Sequence, residues 1–154
     1  MVFRFVLFCL LVGLSTGVRA VDLNVFPSTV EEKRRHVVTL PKVVDESRFM
    51  VELMPGRVEQ VDCNPRSYQA KLRREVLVGW GYPYFVLSDL EPAKSNRKAC
   101  PETAKRRRFV RVRGENLMLP YASGTPLVVF LPPGFDLKYR IWRADKNYSN
   151  ARIK

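Results

Sequence analysis

The chain has 154 residues, of which 46% are hydrophobic and 27% are charged. This composition is typical of a globular protein and excludes a disordered chain, and the length favours one domain. The formal net charge is +12, from 27 lysines and arginines against 15 aspartates and glutamates. One histidine and three cysteines leave little for a zinc site or a histidine-based catalytic site.

Residues Met1–Ala20 have the pattern of a secretory signal peptide. Arg4 provides a positive charge, Phe5–Leu14 form an apolar stretch, and Val18–Ala20 resemble a small-residue cleavage site. The alternative is a transmembrane anchor, but about ten apolar residues are far fewer than the roughly 20 that span a bilayer. We therefore expect export to the periplasm or the extracellular space, with no membrane anchor after the segment is removed.

The next segment, Val21–Arg35, is a polar N-terminal arm in this interpretation. Within it, Thr29–Glu32 could open one short helical turn with a capping box. The rest of the chain, residues 36–154, is interpreted as one domain.

Most of that domain has the alternation and the β-branched and aromatic content of strands. The first predicted strand places Phe49, Val51 and Leu53 on one face and breaks at Pro55-Gly56. Leu127–Leu131 is apolar throughout, as expected for a strand buried on both faces. Short strands at this spacing predict an all-β fold, a small antiparallel sandwich or barrel. The predicted strands are Arg48–Met54, Val76–Trp80, Tyr84–Leu90, Arg108–Arg113, Leu127–Leu131 and Leu137–Arg143.

A long polar loop, Glu91–Lys105, separates two strong strands and contains Cys100. After removal of the signal segment only Cys63 and Cys100 remain, so an oxidising compartment allows one pairing. Two unpaired buried thiols are the alternative. An exposed Arg97-Lys98 dipeptide on a loop stapled in this way is typical of a substrate-like protease inhibitor, because a rigid loop loses little entropy on binding.

The sequence gives no sign of catalysis. Nucleophilic catalysis needs a base beside the nucleophile, and His36 is interpreted as a structural residue. Neither a cofactor nor a metal is expected. The basic run Lys105–Arg113 is either a solvated strand face or a contact for a polyanion. Nucleic acid is not expected, because no aromatic residues interleave with the cations as they do on base-stacking surfaces.

Four motifs, in their order and spacing, resemble the ecotin family of serine-protease inhibitors over roughly residues 34–154. They are Val61-Asp62-Cys63-Asn64, Gly79-Trp80-Gly81-Tyr82, Ala99-Cys100-Pro101 and Lys138-Tyr139-Arg140-Ile141-Trp142.

The resemblance implies a small antiparallel β-sandwich with long surface loops and a Cys63–Cys100 disulfide. It places the reactive bond between Arg97 and Lys98, since the bond lies three residues before the second cysteine. The reactive loop then also includes Ser95, Asn96 and Ala99, and a supporting loop comprises Asn64, Pro65, Arg66, Ser67 and Tyr68.

The resemblance also implies a homodimer that exchanges C-terminal strands around Trp142, Arg143 and Ala144. A second protease-contacting site would comprise Trp80, Gly81, Tyr82, Tyr121, Ala122, Ser123 and Gly124. Arg97 stands where the best-known member has methionine, so we expect trypsin-like specificity toward trypsin-fold serine proteases. The alternative function is a basic, non-inhibitory protein that binds anionic surface polymers.

Overall fold

The computed structural model describes residues 21–95, 98–101 and 105–154, and Met1–Ala20 therefore lie outside the described residues. Nine strands are found in these ranges, together with two single-turn 3₁₀ helices, Leu23–Val25 and Glu46–Arg48. The strands are β1 (Thr29–Val30), β2 (Lys33–Val38), β3 (Phe49–Val61), β4 (Arg66–Val76), β5 (Pro83–Ser95), β6 (Arg106–Glu115), β7 (Met118–Pro120), β8 (Leu127–Leu131) and β9 (Asp136–Arg143).

The predicted all-β class is confirmed, but the strand pairing is mixed rather than purely antiparallel. The hydrogen-bonded order is β1-β2-β8-β5-β4-β6-β3-β7, and β9 pairs with β3. The β4–β6 and β5–β8 ladders are parallel. β5 is antiparallel to β4, and β6 runs in the same direction as β4. When β6 pairs with the edge of β4 that β5 leaves free, the ladder is therefore parallel. Alternation within a strand does not encode this choice of neighbour.

Strand β6 joins the two halves of the sheet. Its residues 106–111 pair with β3, whereas residues 112–115 pair with β4. A strand that changes partners in this way makes a corner between two layers. Val110 and Val112 lie on its inner face and are buried in the main core, which includes Val51 and Leu53 of β3.

Strand β8 is buried on both faces, as its apolar sequence predicts. Val129 and Leu131 face the main core, while Val128 and Phe130 form a second cluster with Phe26. Phe26 belongs to the segment interpreted as a polar arm, so that interpretation is wrong: residues 21–35 contain a 3₁₀ helix, β1 and the start of β2. The segment covers the outer face of β8 and contributes apolar area to the fold.

The predicted helical turn at Thr29–Glu32 is also wrong. Thr29 and Val30 form β1, and Glu31 and Glu32 make a two-residue turn into β2. Their φ angles, 49° and 60°, are those of a hairpin turn with positive φ at both central positions. That turn usually has Asn-Gly, so the Glu-Glu sequence gave no hairpin signal. Glu31 forms ion pairs with Lys33 at 2.6 Å and Arg73 at 2.7 Å.

Three other predicted boundaries are wrong. Strand β3 does not break at Pro55-Gly56. Along one edge of β3 the ladder to β7 ends at Glu52 and the ladder to β6 begins at Gly56, so Pro55 lies between the two ladders. A residue without an N–H group fits between them. A Cβ at Gly56 would lie 2.5 Å from the Val110 carbonyl oxygen, so this glycine permits close strand packing. Of Val76–Trp80, only Val76 is strand, and Glu91–Ser95 extend β5 into the predicted loop.

Strand β9 lies at the edge of the sheet and is anchored by one carboxylate. Glu52 of β3 accepts hydrogen bonds from Arg140 (2.5 Å), Arg111 (2.7 Å) and the Trp142 indole (2.8 Å). The Arg140 hydrogen bond is the largest of the causes that lower the pKa of Glu52 to about 2. Glu52 therefore stays ionised across the physiological pH range and keeps β9 on β3.

The covered face of β8 yields a stability prediction. Phe26 is 3% exposed, so Phe26→Ala is expected to lower the free energy of unfolding by about 3 kcal/mol, from lost burial and the cavity left behind. Val44, which is fully exposed, is the control, and Val44→Ala should change stability by less than about 0.5 kcal/mol. Urea unfolding measures both, and an equal, small effect of the two variants would show that the N-terminal segment does not cover the core.

Candidate functional site

The predicted site residues lie at opposite ends of β5. The predicted secondary site surrounds the Pro83 end, and the predicted reactive loop follows Ser95. Twelve residue steps at about 3.3 Å set an upper limit of roughly 40 Å between the two ends, because β5 is irregular at Asp89, which has a φ of 52°. Since β5 and β8 are parallel, with Phe85 opposite Val129, the loops that precede these two strands lie at the same end of the sheet. The structure therefore separates two surfaces that the sequence analysis predicted as distinct.

At the Ser95 end, the chain is described again from Lys98. Asn96 and Arg97 lie outside the described residues, and Ser95 is described only as the last residue of β5, opposite Arg66 of β4. Lys98 and Ala99 are exposed. The disulfide between Cys63 and Cys100 is present, with a sequence separation of 37. A loop of that length is worth about 3–4 kcal/mol in the loop-closure treatment of disulfides.

Asn64 holds the backbone on the C-terminal side of the predicted reactive bond. Its side-chain oxygen accepts from the Lys98 amide at 3.1 Å, and its side-chain nitrogen donates to the Lys98 carbonyl at 3.0 Å. The same nitrogen lies 3.1 Å from the Cys100 sulfur. Asn64 is only 6% exposed. Its buried side-chain amide therefore bonds both the backbone N–H and the backbone carbonyl of exposed Lys98. The side-chain amide thus fixes Lys98 as a neighbouring strand would.

The position of Asn64 is itself fixed by a local turn. Its backbone N–H donates to the Asp62 carboxylate at 2.9 Å, an Asx turn. Hydrogen bonds from the Asn64 backbone and side chain, with the charge of Arg66 nearby, lower the pKa of Asp62. Asp62 therefore accepts this bond as a carboxylate at neutral pH. The β3–β4 connection is short and closed by the disulfide at its second residue.

The rest of the predicted supporting loop divides into exposed and buried residues. Pro65 and Arg66 are exposed, Ser67 is half-buried, and Tyr68 is buried in the main core. Arg66–Tyr68 are the first residues of β4 rather than a loop. The Tyr68 hydroxyl donates to Glu59, and the Arg57 guanidinium lies 5.3 Å from the Tyr68 ring centroid. The Tyr68 side chain therefore packs in the core next to the site and is not part of its surface.

At the other end of β5, the predicted secondary site has one exposed aromatic surface. Trp80 is 58% exposed and stacks on Tyr82, with centroids 6.3 Å apart and planes at 20°. Gly79 and Gly81 have φ angles of 81° and 73°, so the turn that presents Trp80 needs glycine on both sides. The Gly81 amide donates to the Leu77 carbonyl at 2.9 Å and closes the turn.

The second loop of this predicted site is only partly at the surface. Ala122 and Gly124 are exposed and Ser123 is half-buried. Tyr121 is 5% exposed and its hydroxyl donates to the Pro41 carbonyl, so its side chain supports the loop and cannot contact a partner.

Glu46, which the sequence analysis missed, accepts from the Ser123 hydroxyl and, at 3.0 Å, from the Ser123 backbone N–H. These hydrogen bonds lower the pKa of Glu46. A carboxylate 77 residues away has no local sequence signal.

The residues predicted to mediate dimerisation lie at the end of β9. Trp142 is 48% exposed, and Arg143 is the last strand residue. Ala144 forms two hydrogen bonds with Arg48: its amide donates to the Arg48 carbonyl at 2.8 Å, and its carbonyl accepts from the Arg48 guanidinium at 2.7 Å. Beyond it, residues 145–154 are exposed and have no regular secondary structure.

The His36 ring nitrogen lies 3.1 Å from the Arg34 carbonyl, as a structural histidine would. Within residues 21–95, 98–101 and 105–154, no group of three or more His, Cys, Asp or Glu side chains could hold a metal ion. In the same ranges no helix has the length and apolar character required to cross a bilayer.

Comparison with known proteins gives one consistent family. A family model described as Ecotin matches residues 22–144. The chain is 38% identical to the ecotin of Yersinia enterocolitica over 130 residues, covering 84% of this chain and 77% of that protein. It is 37% identical to the ecotin of Pseudomonas fluorescens over 131 residues, covering 85% and 83%. The ecotin of Pseudomonas putida is 35% identical over 133 residues, covering 86% and 84%.

The hydrogen bonds of Asn64 predict a local effect of its removal. Asn64→Ala should leave the Lys98 amide without its acceptor, and since each bond contributes about 0.5–1.5 kcal/mol, exchange of that amide should accelerate about tenfold. Hydrogen exchange followed by NMR measures it. Asn147→Ala, in the exposed C-terminal residues, is the control and should leave Lys98 unchanged. If Asn64→Ala does not change Lys98 exchange, Asn64 does not hold the loop.

Proposed function

Because this chain belongs to the ecotin family, we propose that it is an exported, dimeric inhibitor of trypsin-like serine proteases whose reactive bond joins Arg97 to Lys98. Membership in the family implies an inhibitor of serine proteases and not an enzyme. The observation that carries the finer proposal is the fixation of Lys98, whose amide and carbonyl are both bonded to buried Asn64.

The fixation explains how a basic dipeptide could resist digestion. A protease binds an extended peptide across its active site, and a flexible loop loses conformational entropy when it binds and readily leaves after cleavage. Here the residue after the proposed bond is held by Asn64, and Cys100 is bonded to Cys63. The segment from Lys98 to Cys100 is thus held before binding, so more of the interaction energy remains as affinity. The new amino terminus formed by cleavage would also stay in place.

Arg97 is the residue proposed to enter the primary specificity pocket. Trypsin-like proteases carry a carboxylate at the base of that pocket, whereas chymotrypsin has an apolar slot and elastase a small one. A planar guanidinium can pair with the carboxylate through two hydrogen bonds. In an apolar slot the same cation would be desolvated without a partner, at a cost of several kcal/mol. Trypsin-like specificity follows from this difference.

We propose that the second protease contact comes mainly from Trp80. Its ring is exposed, is backed by Tyr82 and lies on a turn closed by hydrogen bonds to Leu77. Exposed Ala122 and Gly124 in the companion loop are small, so they add contact area but no charge. The two surfaces lie at opposite ends of β5, so we propose that a protease held by the reactive loop of one chain contacts this surface on another chain.

A dimer would allow one protease to be bound by two chains. We propose that residues 142–154 form the interface by strand exchange, with Trp142 as its anchor. Tyr148 and Ile153 are exposed, and a second chain would cover both side chains in this arrangement. Export is proposed from the pattern of Met1–Ala20, and the alternative of polymer binding without inhibition is not favoured by family membership.

Substitution of Arg97 tests the proposed reactive bond. Arg97→Ala would leave the protease carboxylate buried and unpaired, so we expect a loss of about 2–5 kcal/mol, or about 30- to 4,000-fold in the inhibition constant for trypsin. Avidity of a dimer would reduce the apparent loss. Inhibition constants for trypsin, chymotrypsin and elastase provide the measurement.

Lys98→Ala is the matched control, because the bonds to Asn64 involve only the Lys98 backbone. It removes one positive charge beside Arg97 and should cost much less. Preference of the unmodified protein for chymotrypsin or elastase would contradict the assignment, as would an Arg97→Ala variant that inhibits trypsin as before.

Deletion of Asp145–Lys154 tests the proposed dimer. The deleted residues are exposed in the single chain, and the hydrogen bonds of Ala144 to Arg48 remain. We therefore expect a folded monomer in size-exclusion chromatography with light scattering, against a dimer for the full-length protein. A truncated protein that elutes as a dimer would refute the assignment of the interface.

A further inference from the structure

One exposed face of the sheet carries two rows of cations. On β6, Arg107 and Arg111 lie opposite Gln60 and Gly56 of β3, on the face away from buried Val110. Arg113 continues the row. On the other side of β3, Lys138 and Arg140 of β9 lie opposite Met54 and Glu52. The name outer basic face is used below for these five residues, Arg107, Arg111, Arg113, Lys138 and Arg140.

The carboxylates on this face do not neutralise it. Glu52 is shared by Arg111 and Arg140, and Glu115 lies 3.7 Å from Lys71. Of the other carboxylates on β3, β6 and β9, Glu59 bonds Arg57 and Tyr68, and Asp136 lies opposite Gly56. In the part of the chain that the structure describes, Arg107 and Arg113 form no ion pair, and both are exposed. They lie six residues apart along β6, so at most about 20 Å separates them.

A groove runs beside the C-terminal half of this row. It has a volume of about 560 Å³ and is lined by Arg111 and Arg113 of β6, Glu52 of β3, and Asn116 and Met118 at the start of β7. The groove opens where β3 changes partners from β6 to β7, so the sheet leaves a space flanked by two guanidinium groups. Planar guanidinium groups bind oxyanions through paired hydrogen bonds.

A cation lies against each of two aromatic rings on this face. The Lys138 ammonium lies 4.3 Å from the centroid of the Phe109 ring, and the Arg140 guanidinium lies 4.8 Å from that of Trp142. A nucleic acid would need open rings on which to stack its bases, so these contacts disfavour it. They present fixed positive charge instead.

We propose that the outer basic face binds a linear polysaccharide that carries sulfate or carboxylate groups. The extended row of arginines matches a chain with anionic groups at regular intervals, and the groove beside Arg111 and Arg113 accommodates a sugar ring. The proposal goes beyond protease inhibition and does not depend on the Arg97–Lys98 assignment. An inhibitor with this face would be concentrated on surfaces coated with such polymers.

The test measures binding of the full-length protein to heparin and to alginate, a sulfated and a uronic-acid polysaccharide, across salt concentrations. Arg107→Gln/Arg113→Gln removes two cations that have no ion pair within the described residues. We expect at least tenfold weaker binding and a slope of log K against log salt that is smaller by about two. Binding of either polysaccharide in this way supports the proposal, and trypsin inhibition by the variant should be unchanged.

The matched control is Arg34→Gln/Arg74→Gln, which removes the same charge from exposed positions on β2 and β4. It should weaken binding no more than about threefold. An equal loss in both variants would show that only net charge matters, and absence of salt-dependent binding by the unmodified protein would overturn the proposal. Tighter binding to single-stranded DNA or to phosphatidylserine vesicles than to both polysaccharides would also overturn it.

Discussion

The proposed inhibitory end of the molecule depends on two attachments within three residues. The Asn64 side chain holds the amide and the carbonyl of Lys98, and the disulfide to Cys63 holds Cys100. Both come from one short connection between β3 and β4. A buried amide can make this contact only if its own position is fixed, and the Asx turn to Asp62 fixes it. The position of Lys98, on the C-terminal side of the proposed reactive bond, is therefore set by the connection between β3 and β4.

The rest of the sheet keeps that connection in place. β3 continues through Gly56 beside β6, β4 begins opposite the end of β5 at Arg66, and buried Tyr68 closes the core beneath. The same long β5 carries Trp80 at its other end, so a single strand sets the distance between the two surfaces. β9 is anchored by Glu52 at the sheet edge, and the residues that follow it, 145–154, are exposed. Rigid strands thus position loops that perform no chemistry themselves.

Sequence patterns predicted the strands whose buried and exposed residues can be identified from the strand's own sequence. The alternation in β6 and β9 and the apolar run of β8 are of this kind, and the disulfide followed from the number of cysteines. The β1–β2 hairpin was missed because Glu31-Glu32 adopts a turn that usually requires Asn-Gly, and β4 because its polar residues mask the buried Tyr68, Ala70 and Leu72. Pairing between distant residues, such as Glu46 with Ser123, has no local signal. The role of Asn64 came from the resemblance, and only the structure gave the two bonds that explain it.

The most direct test of this account is the rate at which catalytic amounts of trypsin cleave the Arg97–Lys98 bond in the oxidised and the reduced protein, followed by mass spectrometry. The account predicts slow cleavage at this bond in the oxidised protein. After reduction of the Cys63–Cys100 disulfide, the loop is tied only by Asn64, and cleavage at the same bond should be at least tenfold faster, with weaker inhibition. Circular dichroism should show that the sheet is retained. Rapid cleavage of the oxidised protein, or equal rates in the two forms of a folded protein, would contradict the claim that these attachments make the loop an inhibitor.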